Sequence, residues 1–497
     1  MNTIISIAVF LFLFIIFIYL GFSGKNFRPG DLNNMHEWAL GGQKLGTFLA
    51  WFLIGADVFT AYTFIAVPSG IFAAGSLFFF AVPYVAVAFA IAMIVMPKLF
   101  VVSKEKGYIT GVDFVKDAFN SKTLTILIAL TGVVAELPYI ALQVIGMRAI
   151  LTSMLMPFSG IKTISDIALI ISFIILAAFT YTTGLRGITL TAVMKDVIIF
   201  ATVIVIIIAV PLMHGGFHAA FKAKPVYSML PPNFAAAYLS FFIMSAFALF
   251  LYPHAINGSL SSESAKKLRK TSALLPIYAI GLALIALFGI LVYAVKPAMS
   301  ILDKFPPSIR GAMVVPTLIQ STMPPWFTGF AFLGIFIGGL VPAAIMAMAS
   351  ANLLVRNVYK EFKPNLSPEA ETKMAKWLAV VFKFVALGFV FAVPATFAIS
   401  LQLLGGIIIL QTLPAIFMGL YMKSLNKNAL ILGWVLGMIT GIYFVEKVNN
   451  FGLIAKTLIS TPFGLIFIGV IALAVNLAVV LIGSYIPKLF QSSIVNS

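Results

Sequence analysis

The chain has no cysteine among its 497 residues, and it has only four histidines. Disulfide bonds, thiolate metal sites and thiol catalysis are therefore excluded, and a transition-metal site lacks its usual ligands. Walker loops, HExxH helices and convincing GxSxG turns are missing as well. We therefore expect no enzymatic activity, no cofactor and no bound metal.

Charged side chains are also scarce, at 9% of the residues, whereas hydrophobic residues make up 62%. Such a balance excludes a water-soluble globular protein. Apolar runs of about 20 residues recur along the chain, and each is long enough to cross a hydrocarbon core about 30 Å thick. With the helix breakers between them, they predict about thirteen membrane-spanning helices in one transmembrane domain over residues 1–497. The predicted spans are 3–22, 46–70, 75–101, 123–150, 163–183, 189–213, 235–256, 272–295, 327–357, 376–397, 400–422, 428–446 and 462–487.

The net charge of +17 arises from Lys and Arg residues that cluster in alternate loops. This is the positive-inside pattern of membrane proteins, so the charge gives no reason to expect nucleic-acid binding. It predicts a multi-pass protein of the plasma membrane with its N-terminus outside and its C-terminus in the cytoplasm. The expected partners are the lipid bilayer and a small solute, and no obligate protein partner is evident.

Two loops have distinctive patterns. The inner loop 102–122 has the periodicity of a short amphipathic surface helix. The outer loop 296–326 is the longest connection and is rich in proline, and it is a candidate lid.

The stretch Trp51–Gly70 reads WFLIGADVFTAYTFIAVPSG and is a span that carries a single carboxylate, Asp57. A charge at bilayer depth costs at least about 3 kcal/mol and is tolerated only where it faces protein, water or an ion. Gly55 and Pro68 allow the helix to break, which frees backbone carbonyls for ligands. A functional site around Asp57 is therefore expected, although satisfaction by a neighbouring helix is the alternative.

Further polar residues lie inside spans. Glu136 and Gln143 are seven residues apart and share a helix face, either as a hydrogen-bonded contact between helices or as a substrate or proton site. His254 follows Pro253 near the inner end of the seventh span, where it either relays protons or is simply solvated.

Lys195 and Asp196 lie about two turns inside the sixth span. Neighbouring residues on a helix point in directions about 100° apart, so the two need not pair with each other. We expect Lys195 to extend to the inner surface in a structural role, while the role of Asp196 stays open. The small residues of 342–360 favour close helix packing.

Taken together, several segments in this order resemble the sodium:solute symporter family over nearly the full length, and within it most resemble the monocarboxylate uptake permeases. The segments are GGQKLGTFLAWFLIGADVFTAYTFIAVPSG (41–70), ELPYIALQVIGM (136–147), GLRGITLTAVMKDVIIF (184–200), YPHAINGSLSSESAKKLRKT (252–271), PAAIMAMASANLLVRNVYK (342–360) and LQTLPAIFMGLYMKSLNKNALILGWVLG (410–437).

The resemblance implies an all-α membrane protein with a 5+5 inverted-repeat core, similar to amino acid-polyamine-cation transporters, in which the first helix of each repeat is broken. The repeats would cover 46–213 and 235–422, with flanking helices at 3–22 and 428–487. Substrate would lie at the midplane between the broken helices. The residues expected near its path are Thr60, Tyr62, Glu136, Gln143 and Asn257.

The resemblance also implies a sodium site between the second and ninth spans. Its carbonyl ligands would fall on Ala56, Phe59 and Ala344. Two hydroxyl ligands of the family pattern fall on Ala347 and Met348, which carry no oxygen in their side chains. Because a hard cation needs oxygen ligands, we expect this site to bind sodium poorly.

We therefore predict a secondary active transporter that imports a small organic solute, a monocarboxylate or an amino acid, with proton coupling through Asp57. Glu136 is the alternative carrier of the proton, and Asp196 belongs to the same candidate ion-coupling set. The outer loops hold only three carboxylates, as suits an acidic exterior. Sodium symport through a site rebuilt with Asp57 or Ser350 is the alternative within transport. An uncoupled facilitator, a sensor or a channel on the same fold would represent a different class.

Overall fold

The structure is a computed structural model that describes residues 2–156, 158, 160–392, 398–450 and 456–495. The fold is all-α apart from one small hairpin, and its apolar helices pack around one continuous core. In the first half of the chain the helices are α1 Asn2–Ser23, α2 Met35–Leu40, α3 Thr47–Gly55, α4 Val67–Ala74, α5 Ala81–Lys106, α6 Gly111–Phe119, α7 Lys122–Leu155, α8 Ile161–Thr183, α9 Leu185–Met213 and α10 Gly216–Ala223.

The second half continues with a similar succession of long and short helices. They are α11 Ala235–Leu249, α12 Pro253–Leu260, α13 Ala265–Leu274, α14 Pro276–Ala286, α15 Phe288–Leu291, α16 Lys296–Leu302, α17 Pro307–Arg310, α18 Val314–Thr322, α19 Pro325–Leu353, α20 Lys360–Phe362, α21 Pro368–Ala392, α22 Ala398–Ile409, α23 Lys427–Val448 and α24 Ile468–Val495.

Among the described residues, ten helices are long and apolar enough to cross a membrane, and Gln402–Met418 forms a shorter apolar helix. The predicted spans 46–70 and 235–256 are each divided between two shorter helices. The end of the predicted span 376–397 lies outside the described residues. The multi-pass architecture is confirmed, whereas the number of thirteen spans stays a prediction.

The helix at 46–70 is interrupted where the sequence predicts a break. The helix α3 ends at Gly55, and a π-helical turn at Tyr62–Ala66 leads into α4. The helix at 235–256 is interrupted as well, since α11 ends at Leu249 and Pro253 begins α12. Proline at a first helical position loses no hydrogen bond, which explains why the new helix starts there.

The helix α19 lies at the centre of the molecule. It packs against α1, α7, α9, α12 and α21, and its residues from Ala331 to Leu353 are all buried. Its many Gly and Ala residues allow this close approach from several sides, as expected for small residues between membrane helices.

Two connecting segments have their own structure. The helix α6 begins with a capping box between Thr110 and Asp113 and buries Val112 and Phe114, so the expected amphipathic helix in 102–122 is present. The proline-rich segment 296–326 forms α16, α17 and α18, and α18 packs against α4 and α7.

An antiparallel hairpin of β1, Leu458–Thr461, and β2, Gly464–Phe467, precedes the last helix. The sequence analysis predicts no strand there. The hairpin is anchored to α11 by the backbone N–H of Phe467, which donates to the hydroxyl of Ser240 at 2.9 Å.

Loops that the charge pattern assigns to one side of the membrane contact one another. On the predicted inner side, Leu45 pairs with Ser262, and Arg356 binds Asp113 at 2.6 Å. On the predicted outer side, the hydroxyl of Tyr293 donates to the carbonyl of Phe72 at 2.7 Å. The relative arrangement of the loops therefore agrees with the charge pattern, while the absolute orientation stays a prediction.

Candidate functional site

The site is built on the break in the second span, between Gly55 and Tyr62. Backbone hydrogen bonds in this segment span two, three or four residues, as from Thr60 N to Val58 O at 3.0 Å, from Val58 N to Gly55 O at 2.9 Å and from Phe59 N to Gly55 O at 3.4 Å. The regular helical ladder is lost, so backbone carbonyls of the segment are available to side chains or ions.

Two of these carbonyls are bound by the ammonium group of Lys195, which is fully buried. Its Nζ donates to Ala56 O at 2.8 Å and to Phe59 O at 2.9 Å. It also forms an ion pair with Asp196 Oδ1 at 2.9 Å. Three oxygens thus lie 2.8–2.9 Å from the ammonium nitrogen, which has three N–H donors.

The expectation that Lys195 extends to the inner surface is wrong. The helix α9 packs directly against α3, so the break lies within reach of the lysine side chain and offers two unpaired carbonyls. Asp196, whose role the sequence leaves open, also accepts a hydrogen bond from the hydroxyl of Tyr278 at 2.6 Å. Lys195 and Tyr278 are therefore the site residues that sequence reasoning missed.

Aromatic rings cover this buried ion pair. Tyr278 lies 4.7 Å from Trp51, 4.8 Å from Phe59 and 5.3 Å from Phe200, measured between ring centroids. Gly55 makes room for Tyr278, because a Cβ atom added at Gly55 would overlap the tyrosine ring. The ion pair thus lies in a low-dielectric environment, where charge interactions are strong.

Asp57 lies in the same break and is 5% exposed. Its backbone N–H donates to Ile54 O at 3.2 Å, but neither carboxylate oxygen has a hydrogen-bond partner among the described residues. The charged groups around it are His254, Lys195, Glu136 and Asp196. A buried carboxylate of this kind requires an explanation, such as a proton or a ligand.

Glu136 connects α7 to the break in the seventh span. Its Oε1 atom lies 2.6 Å from His254 Nδ1 and accepts the backbone N–H of His254 at 3.1 Å. Both side chains are fully buried, so the alternative of a solvated His254 is wrong. The middle of α12 is covered by α2, where Ala39 O accepts a hydrogen bond from Asn257 at 3.1 Å.

Gln143 connects α7 to the other break. Its Oε1 atom accepts the backbone N–H of Ala61 at 3.0 Å, and its Nε2 donates to Tyr139 O at 3.3 Å. The hydroxyl of Thr60 accepts the N–H of Tyr62 at 3.1 Å. Glu136 and Gln143 therefore do not bind each other but hold one broken helix each.

The hydroxyl of Tyr252 and the Nε2 atom of His254 have no hydrogen-bond partner among the described residues, although both are buried. The ring of Tyr139 lies 5.4 Å from that of Tyr252 and 5.5 Å from that of His254. On the other side, Tyr62 lies 6.4 Å from Tyr84. Polar atoms without partners beside aromatic rings are typical of a small-molecule site.

Ala344, Ala347 and Met348 are fully buried in α19. The helix approaches the break at Gly338, where an added Cβ atom would lie 3.5 Å from Phe59 O. Ser350 is buried as well, and its hydroxyl lacks a partner among the described residues. The helix thus approaches the break at Gly338, while the roles of Ala344, Ala347, Met348 and Ser350 stay predictions.

The fold and the two broken helices around buried polar groups define a membrane transporter. The chain matches the model of the sodium:solute symporter family over residues 38–441. It is 39% identical over 493 residues to the monocarboxylate transport permease protein of Rhizobium johnstonii, a match that covers 97% of each chain. It is also 34% identical over 424 residues to the uncharacterized symporter YodF of Bacillus subtilis, covering 83% of each chain.

A solved structure of a Na⁺-coupled sialic acid symporter, in a substrate-bound outward-open state, has the same fold. The TM-score is 0.74 at 16% sequence identity, and 97% of each chain is covered. The chain belongs to the sodium:solute symporter family, as its sequence motifs indicate. It is a solute transporter of the membrane and not an enzyme.

Proposed function

We propose that this chain imports a small monocarboxylate together with a proton across the plasma membrane. The observation that carries the coupling is Asp57, a buried carboxylate at the break whose two oxygens lack partners. An ionised carboxylate at this depth is far more costly than the protonated acid. Asp57 would take up a proton from the outside and release it to the cytosol.

The substrate class is supported by the polar atoms at the second break and by the relative from Rhizobium johnstonii, which is named as a monocarboxylate permease. The hydroxyl of Tyr252 is a buried donor without a partner, and the Nε2 atom of His254 is a second one when the imidazole is doubly protonated. The N-terminus of α12 begins at the same place, and the positive end of a helix dipole attracts an anion. A single carboxylate would find these donors and the positive helix end there, next to the Glu136 carboxylate that already accepts the N–H of His254.

Sodium symport is the second candidate, because the family and its structural neighbour are named for sodium. Ser350 has a buried hydroxyl without a partner that could contribute to a rebuilt site. Against it, Ala347 and Met348 provide no side-chain oxygen, and two carbonyls of the break are already bound by Lys195.

The test is uptake of labelled monocarboxylates into proteoliposomes with imposed gradients, compared with dicarboxylates, sugars and amino acids. We expect accumulation that follows an inward proton gradient and is independent of sodium. Asp57→Asn should abolish accumulation, while Asp303→Asn, which removes an exposed outer carboxylate, should not. Accumulation that needs sodium at constant pH would contradict proton coupling, and equilibration without accumulation would indicate a facilitator.

A further inference from the structure

The contacts of Lys195 suggest a function beyond packing. Its ammonium group is completely buried, and its three partners are two main-chain carbonyls of a broken helix and one carboxylate. Carbonyl oxygens freed at a helix break, together with a nearby carboxylate, form the kind of site in which transporters bind a monovalent cation. Here the positive charge in that site belongs to the protein.

The surroundings show that the position needs a positive charge. Asp196 pairs directly with Lys195, and Asp57 is its next charged neighbour of opposite sign. Without the lysine, the carboxylate of Asp196 and the carbonyls of Ala56 and Phe59 would border a buried space without a cation, with the carboxylate of Asp57 as a further charged neighbour. Such a set of oxygens is costly in a low-dielectric interior and attracts any small cation that fits.

The second observation is how firmly the ammonium is held. The hydroxyl of Tyr278 binds the other oxygen of Asp196 at 2.6 Å, and the rings of Phe59 and Phe200 pack against Tyr278. Asp196 is thereby held in place beside the lysine, whose other two contacts are the carbonyls of Ala56 and Phe59. The charge is fixed in a position that a free ion would otherwise enter and leave.

We propose that the Lys195 ammonium is a tethered cation that occupies the ion site of the broken second span and excludes sodium from it. A second positive charge at this point would be repelled by the first and would find its carbonyl ligands occupied. The consequence of this inference, that the ion site contributes no sodium to the transport cycle, rests on the proposed function. The occupation of the site by Lys195 does not.

The experiment is thermal unfolding of the purified full-length protein in the absence of solute. It is carried out in sodium chloride, methylammonium chloride or tetramethylammonium chloride at constant ionic strength. In the wild-type protein, we expect no stabilisation by sodium or methylammonium relative to tetramethylammonium. A sodium-specific rise in the unfolding temperature of the wild-type protein would overturn the proposal, and this measurement does not depend on any variant.

Lys195→Ala removes the ammonium and leaves its space empty. We expect a lower unfolding temperature that sodium and methylammonium raise by several degrees, because a ligand of the folded state stabilises it by mass action. Lys195→Met is the matched control, since it removes the charge but fills the space, and it should be destabilised without rescue by cations. A folded Lys195→Ala variant that does not respond to either cation would contradict the proposal.

These outcomes are separate from the transport assay. Failure of proton-driven uptake with an unchanged cation response would contradict the proposed function and leave the tethered cation intact. Proton-driven uptake together with sodium stabilisation of the wild-type protein would support the proposed function and contradict the tethered cation.

Discussion

The Nδ1 atom of His254 lies 2.6 Å from Oε1 of Glu136, and the same oxygen accepts the backbone N–H of His254. The contact joins α7 of the first half of the chain to the first turn of α12 in the second half. Because Gln143, two turns further along α7, holds the other break through Ala61 N–H, one helix positions both broken segments. A displacement of α7 would therefore change both halves of the candidate site together.

Two substitutions of Glu136 should differ in their effect on stability, although both should reduce transport. Glu136→Ala leaves the N–H and the ring of His254 without their buried partner, which should lower the free energy of unfolding by about 3 kcal/mol. Glu136→Gln retains an oxygen acceptor for His254 and should remain much closer to the wild type in stability. Thermal unfolding of the purified variants measures the difference.

In uptake assays both Glu136 variants should transport poorly, since the charge next to His254 is lost in each. Equal stability of Glu136→Ala and Glu136→Gln would show that the contact with His254 contributes little to the fold.

Gln143 should act through the backbone of the first broken helix. Gln143→Leu has a similar volume but leaves the buried N–H of Ala61 unpaired, a loss of about 1–3 kcal/mol. Gln143→Glu retains an acceptor for the same N–H, so the hydrogen bond is preserved while a charge is added. We expect Gln143→Leu to unfold at a lower temperature and to bind solute more weakly.

The control for that prediction is Gln320→Leu, which removes a half-buried glutamine that accepts a hydrogen bond from Ser153, near the C-terminal end of α7, at 2.8 Å. If Gln143→Leu and Gln320→Leu reduce solute-induced stabilisation equally, the role assigned to Gln143 is wrong.

Gly55 should be intolerant of a methyl group. In Gly55→Ala the new Cβ atom overlaps the ring of Tyr278, and overpacking of this kind typically costs about 1–3 kcal/mol. The displaced tyrosine should weaken its hydrogen bond to Asp196. Gly406→Ala is the matched control, because Gly406 lies in a helix with open space at its Cβ position.

The control variant should match the wild-type protein or gain up to about 1 kcal/mol, since alanine favours a helix over glycine. Thermal unfolding and uptake of the two variants provide the comparison. A Gly55→Ala variant with wild-type stability would mean that Tyr278 has room to move away from Asp196.

The two breaks are predictable because their causes are local. Glycine and a buried carboxylate mark the first, and Pro253 marks the second, so the composition of each segment is sufficient. The partners of Lys195 are not predictable in this way. They depend on the packing of α9 against α3, more than a hundred residues away in sequence, and a lysine side chain near a helix end is equally compatible with extension to the surface.

His254 illustrates the same difficulty. Its position near the end of a span is consistent with contact with water, but the short helix α2 covers that end and Ala39 binds Asn257 there. A six-residue helix in a polar loop gives no sign in the sequence of where it packs.

The orientation in the membrane can be tested by labelling, because the chain contains no cysteine and provides a background-free parent. Ser262 is fully buried and unsuitable as a reporter, whereas Arg269 and Ser308 are exposed. Arg269 lies in α13, next to Lys266, Lys267 and Lys270, and the positive-inside rule assigns this basic segment to the cytosol. We therefore expect an impermeant maleimide added to intact cells to label Ser308→Cys and not Arg269→Cys.

Permeabilised cells are the control, and both variants should be labelled in them. Labelling of Arg269→Cys in intact cells without labelling of Ser308→Cys would invert the orientation. The proton that Asp57 is proposed to carry inward would then enter from the side of Arg269 and leave on the side of Ser308. Such a result would leave the contacts of the site unchanged. It would mean that the end of the broken helix assigned to the cytosol faces the outside, from which the proton is proposed to enter.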